Sequence, residues 1–194
     1  MSKLKKNTII RYVTLFILCI FAAACHSRVM YYMDPNMDFG AIRTVAIMPF
    51  ENLTSEKTAA DRVRDVFTNI LLSTGQIYAL PPGEVARAAL RAGITTPTTP
   101  STEEIIKMAA ITKVNAVITG VVREYGEVRS GGATANVVSF SLQMIEAQSG
   151  KIIWSASSTK GGITAKDRLL GGGGKPMNDV TEEAVHDILN KFFR

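Results

Sequence analysis

Cysteine and histidine are scarce in this chain of 194 residues: there are two of each, with a single tryptophan. Cys19 lies inside the apolar N-terminal segment, so removal of that segment leaves Cys25 as the last thiol. Neither a disulfide, a cysteine-ligated metal site nor thiol catalysis can then be built. The histidines, His26 and His186, stand at opposite ends of the chain and offer no metal-binding pair, and no Ser-His-Asp arrangement has sequence support. His186 adjoins Val185 and precedes Ile188 by two, where a solvated or capping histidine is the ordinary reading. A membrane-spanning run is missing as well. The uncharged stretch from Tyr12 to Ala24 would extend about 20 Å as a helix, against a hydrocarbon core of roughly 30 Å. Strong charge is absent once the N-terminus is discounted. The formal charge is +5, but Lys3, Lys5, Lys6 and Arg11 leave with residues 1–24 and no acid leaves with them, so +1 remains. No Lys/Arg run is left to hold a nucleic acid.

What is present begins with Phe21-Ala22-Ala23-Ala24-Cys25. A basic n-region, an apolar h-region from Tyr12 to Phe21 and three small residues before a cysteine read as a bacterial lipoprotein signal peptide over residues 1–24, with Cys25 as the lipidated residue. A plain secretory signal cut after Ala24 is the rival, and it would leave the Cys25 position unexplained. Several acyl chains on one cysteine hold a protein at a bilayer, each buried methylene contributing about 0.8 kcal/mol. Residues 25–41 follow as a lipidated tether, with Met30, Tyr31, Tyr32, Met33, Met37 and Phe39 around an Asp34-Pro35 turn. These apolar residues suit a bilayer interface or a partner, and more simply their own domain. Residues 42–194, nearly half hydrophobic like the chain as a whole at 46%, suffice for one folded domain.

Arg43 to Phe50 is an almost unbroken apolar run, the pattern of a strand buried on both faces. Asn52, Thr54 and Ser55 offer N-caps for a helix with the stripe Val63, Val66, Phe67, Ile70 and Leu71. Gln76 to Leu80 reads as a short strand. Pro82 opens a helix that Gly93 closes. Ser101 and Glu104 form a capping box for a third helix. Strands are predicted over 115–124, 136–147 and 151–159, the second alternating Val138, Phe140, Leu142 and Met144 with Ser139, Ser141 and Gln143. The links 129–135 and 148–150 are short enough for an antiparallel meander. A Gly-rich loop, 161–178, precedes a last helix with the stripe Val185, Ile188, Leu189, Phe192 and Phe193. Gly171 to Pro176 is no phosphate loop, because Leu169 and Pro176 occupy the places of an essential glycine and hydroxyl. The predicted fold is α/β: a single domain, a mixed sheet with a C-terminal antiparallel meander covered by helices, in the order β-α-β-α-α-β-β-β-α.

Three stretches, Val45 to Thr54, Asn115 to Gly132 and Ile145 to Gly162, resemble the periplasmic domains of CsgG-like curli-channel lipoproteins and of LpoB-like lipoproteins that activate a penicillin-binding protein, both similar in fold to the N-terminal domain of TolB. The sharpest element is Gln148 to Ser155, with Ser149-Gly150 as a hairpin turn and Trp154 as buried area. The resemblance implies an outer-membrane lipoprotein facing the periplasm, since His26 and not Asp follows Cys25. The seven residues 129–135 fall short of the about 9–11 that each membrane-crossing β-strand needs, which argues against a pore made by this chain alone. With no catalytic residue, cofactor, metal or small-molecule substrate indicated, the expected function is non-enzymatic: a lipid-anchored adaptor or assembly factor in outer-membrane biogenesis or secretion, binding envelope proteins or, as a homo-oligomer, copies of itself. The alternatives are an activator of a penicillin-binding protein in peptidoglycan synthesis and a subunit of a CsgG-like secretion complex. The 25–41 tether, at most about 50 Å long, weighs against the activator.

Overall fold

A computed structural model describes residues 29–130, 133–161 and 174–193. Residues 1–28, with the signal segment, Cys25 and His26, lie outside them, as does most of the Gly-rich loop. Met30–Met33 is β1, Thr44–Ile47 β2 and Glu51–Asn52 β3. Helix α1 spans Ala59–Ser73, followed by the two-residue strand β4, Tyr78–Ala79, and by helices α2, Pro82–Ala92, and α3, Thr102–Thr112. The long strands β5, Ala116–Ser130, and β6, Ala133–Glu146, lead to β7, Ile152–Gly161, and the closing helix α4, Met177–Phe192. One sheet joins all the described strands in the order β1-β7-β6-β5-β2-β4, with β3 beside the far part of β5. Pairings of β5 with β2 and β3, and of β2 with β4, are parallel; those of β5, β6, β7 and β1 in turn are antiparallel. The predicted mixed α/β fold with its C-terminal meander is the observed one.

Local chemistry explains most elements. Asn115 fixes the parallel register of β2 against β5, its Oδ1 accepting from Arg43 N at 3.0 Å, Thr44 N at 2.9 Å and Thr44 Oγ1 at 3.0 Å. Pro82 sits in the first turn of α2, and Gly93 takes the left-handed cap at φ 77°. The α3 capping box is complete: Ser101 N donates to Glu104 Oε2 at 2.7 Å and Glu104 N to Ser101 Oγ at 3.3 Å. Helix α1 departs from expectation, starting at Ala59 with no side-chain cap. Asn52 and Thr54 are occupied upstream: Asn52 Nδ2 donates to the Glu56 carbonyl at 2.8 Å and Thr54 N donates back to Asn52 Oδ1 at 3.0 Å, closing the 52–56 loop.

Helices cover the two sheet faces unequally. On one face α1 and α4 bury Val63, Phe67, Leu71, Val185, Ile188 and Phe192 over Ile118, Val122, Phe140, Leu142, Met144 and Trp154. Trp154 and Phe192 meet edge to face at 5.3 Å, and Phe192 meets Phe39 at 5.5 Å. Each such contact contributes about 0.5–1.5 kcal/mol beyond buried area. On the other face α2 and α3 bury Val85, Ala89, Ile105 and Met108 over Ala46, Met48, Val117 and Ile145 only. Strand β2 thus sends alternate side chains into both clusters, as its unbroken apolar run predicts.

Two expectations need correction. The stretch read as tether contains β1, whose four residues pair with Trp154–Ser157, and Met33, Met37 and Phe39 pack on the core. Backbone pairing with the free edge of β7 draws in a segment that hydropathy alone left as linker. Residues 129–135 are not a mere link either, since β5 and β6 pair as far as Ser130 and Ala133. The polar distal residues show no alternation of burial, so their pairing was invisible to pattern. Beyond the bulge at Arg123, β5 continues for the seven residues Glu124–Ser130, with Glu124, Glu127 and Arg129 exposed. That arm remains below the length of a membrane-crossing strand. Among the described residues no helix is long and apolar enough to cross a membrane.

The turn after β6 gives a sharp test. Gly150 sits at φ +69°, and a Cβ there would collide with Thr102 Cγ2 at the start of α3. Gly150→Ala should therefore lower stability by about 1–2 kcal/mol, read as a shifted midpoint in urea unfolding; an unchanged midpoint would contradict this account.

Candidate functional site

The sites singled out in the sequence do not converge. Cys25 and His26 lie outside the described residues. His186 is exposed on α4, and among the described residues no group of three or more His, Cys, Asp or Glu could hold a metal ion. The described end of the glycine run is fastened: the Lys175 ammonium pairs with Glu183 and its carbonyl accepts from Asn136 Nδ2 at 2.8 Å.

Two surfaces follow directly from the sheet. The first is its open face. Because α2 and α3 stop at β2 and the near end of β5, the pairs Thr119–Gln143, Val121–Ser141–Ser157 and Ser139–Thr159 present a polar ladder to solvent. Ser139 and Thr159 hydroxyls hydrogen-bond at 2.8 Å, and Arg123 Nη1 donates to Ser141 Oγ at 2.9 Å. Where the 98–100 loop overhangs this ladder a groove of about 290 Å³ forms, with Glu51 and Arg123 as its ionised groups. It combines donors and acceptors without a nucleophile beside a base, which suits hydrogen-bonded recognition. The β6 alternation made this face legible, and the strand register extends it to β5 and β7.

The second surface is the outer edge of the sheet. Among the described residues strand β1 pairs on one side only, and Met30, Tyr31 and Tyr32 are 73%, 54% and 49% exposed. The Lys191 ammonium lies 6.0 Å from the Tyr31 ring centroid. An edge with free backbone donors and acceptors is a natural place for contact with other molecules.

Ahead of α1, Thr58 organises a small polar cluster. Its hydroxyl donates to Glu56 Oε1 at 2.8 Å and accepts from Arg62 Nε at 3.1 Å. The hydroxyl bond first, then the Thr58 backbone N–H, hold the Glu56 carboxyl below the ordinary value of 4.5.

Residues 27–159 match the model of the peptidoglycan-synthase activator LpoB family. The chain belongs to this family. The matched stretch runs through most of β7 and leaves only α4 and the Gly-rich segment beyond it. Among solved structures, the PelC dodecamer of Paraburkholderia phytofirmans superposes with a TM-score of 0.56 at 15% identity, covering 84% of this chain and 95% of that one. Lipoprotein GNA1162 of Neisseria meningitidis gives 0.54 at 20% identity, covering 78% and 98%. The hypothetical protein CT253 of Chlamydia trachomatis gives 0.52 at 14%, covering 78% and 96%. At these identities the likeness concerns the fold. No curated protein matches the chain. Family membership follows the LpoB-like branch of the resemblance seen in the sequence.

A depressed carboxyl pKa makes a definite pH statement. With the folded value below the unfolded one, Glu56 contributes stability above the unfolded value of about 4.5 and loses it as pH falls through the folded value. Thr58→Val should raise the Glu56 midpoint toward 4.5 in an NMR titration of its side-chain carbons; a midpoint unmoved by the substitution would mean that the hydroxyl is not its cause.

Proposed function

We propose that this protein is a lipid-anchored activator of a peptidoglycan synthase, working by protein contact from the outer membrane and facing the periplasm. The observation that carries this reading is the match of residues 27–159 to the LpoB activator family. It favours what the sequence offered as an alternative over the broader expectation of an adaptor or assembly factor. The reading is non-enzymatic: the domain would change a synthase's activity by binding it, with Cys25 holding the domain at the bilayer.

The distance between anchor and domain shapes the proposal. Met30, the first residue of β1, stands five positions after Cys25, so the sheet edge lies within about 17 Å of the Cys25 Cα. That is shorter than the sequence alone suggested. An activator so tethered meets its partner close to the anchoring membrane, and the synthase must present its regulatory surface there. Met30, Tyr31 and Tyr32 stand on the edge nearest the anchor.

A second reading, an oligomeric assembly subunit, draws on the likeness to the PelC dodecamer. Sedimentation of residues 26–194 separates the two, because a monomer at high concentration counts against a ring.

Two measurements test the first reading. Palmitate labelling of cells should give a labelled protein that Cys25→Ser abolishes, and persistent labelling of that variant would refute lipidation at Cys25. The purified lipoprotein in detergent should raise the rate of glycan polymerisation by the same organism's bifunctional synthase, measured on lipid II. No change in rate, with the two proteins at micromolar concentration, would overturn the activator reading.

A further inference from the structure

Strand β1 is exposed on both of its sides. Successive side chains of a strand point to opposite faces, yet Met30, Tyr31 and Tyr32 are all exposed, and of the four residues only Met33 packs half-buried on the core. Tyr31 stands opposite Ala156 and Tyr32 opposite Ser155, so one ring leans to the helix-covered face and the other to the polar face. The Lys191 ammonium of α4 lies beside Tyr31, 6.0 Å from its ring centroid. A thioether, two phenols and an ammonium thus gather on one rim of the sheet. Tyrosine, with an apolar ring and a polar tip, suits the level of lipid headgroups.

The chain leading to β1 decides what this rim meets. Met30 follows Cys25 by five positions, so even a fully extended link lets it stand at most about 17 Å from the Cys25 Cα. Acyl chains on Cys25 bury in the hydrocarbon, and the headgroup layer beside it is about 5–7 Å thick. Holding the link at its limit costs conformational entropy, so the surface around Met30 is the one a tethered domain turns to the bilayer. An added strand fits this edge poorly. Alternate residues of a strand point their N–H and C=O to the same side, so the four-residue β1 offers about two of them to a partner. Beyond Met33, Asp34 already donates its N–H to the Ile153 carbonyl at 2.8 Å, and Pro35 has no N–H to offer.

We propose that the β1 edge is a membrane-contact surface: Met30, Tyr31 and Tyr32 sit in the headgroup layer of the bilayer that anchors Cys25, with the Lys191 ammonium at the level of the lipid phosphates. This rests on the lipidation of Cys25 proposed above, and it adds an orientation that a lipid anchor alone does not supply. With β1 lowermost the sheet stands edge-on to the membrane. The opposite edge, β4, is five strand spacings from β1, or about 24 Å further out at about 4.8 Å per strand. Helices α2 and α3 and the groove beside Arg123 are then held clear of the lipid, where other molecules can reach them.

Contact and anchoring are tested separately. The mature lipoprotein, deuterated except in its methionine methyls and tyrosine rings, is placed in nanodiscs of phosphatidylethanolamine and phosphatidylglycerol. The Met30 methyl and the Tyr31 and Tyr32 rings should show nuclear Overhauser effects to lipid headgroup and glycerol protons, while the Met108 methyl, buried under α2 and α3, shows none. A domain that swings on its link without touching the bilayer gives no such effects at any residue; that result, or effects centred on another surface, would overturn the proposal. The double substitution Tyr31→Ser, Tyr32→Ser should weaken the Met30 effects several-fold, and effects of undiminished strength would mean that the rings do not hold the edge down and that the proposal is wrong. Both positions are exposed, unchanged Met108 and Met144 methyl shifts verify folding, and the unaltered protein decides the question even if the variant unfolds. The mass of the purified chain reads the anchor independently. An unmodified Cys25 ends the lipid-anchor reading and this proposal with it, whereas a lipidated chain without the expected effects overturns the membrane contact alone. If Overhauser effects run instead between β1 residues of labelled and unlabelled copies, the occupant is a second copy of this chain and the proposal fails.

Discussion

The antiparallel pairing of β5 with β6 is the constraint on which the rest of this molecule depends. Each is about three times as long as a typical strand, and together they form a spine to which everything else attaches. On one flank β5 accepts β2 and β3 in parallel, aligned at one end by the Asn115 side chain. On the other, β6 accepts β7, and β7 accepts β1. The register of the spine puts Ile118, Val122, Val138, Phe140, Leu142 and Met144 into one core. It puts Thr119, Ser139, Ser141 and Gln143 on the opposite face.

That division decides where helices can sit. Helices α1 and α4 bring long apolar stripes and cover the greasy face, where the contacts of Trp154, Phe192 and Phe39 tie the last helix to the first turn after β1. Helices α2 and α3 find apolar partners only over β2 and the near end of β5. A sheet whose second face is half polar gains nothing from a helix laid across the polar half, because hydrated hydroxyls would lose water without gaining buried hydrocarbon. The incomplete cover is thus a direct consequence of serine and threonine at alternate strand positions. It leaves the polar groove beside Arg123.

The described residues present surfaces of this kind for contact with other molecules. The chain belongs to the peptidoglycan-synthase activator LpoB family, and its fold is shared with lipoprotein GNA1162 of Neisseria meningitidis at low identity. Shared architecture at 14–20% identity says little about partners, since function resides in sites carried on a fold. The features that can set this chain's partner are particular to its residues: the aromatic sheet edge of Met30, Tyr31 and Tyr32, and the polar groove beside Arg123.

What the amino-acid order determined by itself was local. Pro82 and Gly93 delimit α2, Ser101 and Glu104 start α3, Gly150 makes the last tight turn, and the alternation from Val138 to Met144 announces a half-wet strand. In each case the physics acts over a few residues, through φ restriction, capping or periodicity, and so it can be read along the chain. Tertiary structure decided the rest. Met30–Met33 is a strand because β7 has an unpaired edge to offer, and residues 129–130 and 133–135 are strand because their backbone groups find partners across the hairpin. The polar groove combines Glu51, residues 98–100, Arg123 and Gln143, which no window of sequence brings together. Backbone pairing and concavity depend on which distant segments become neighbours, and that information appears only when the chain has closed on itself.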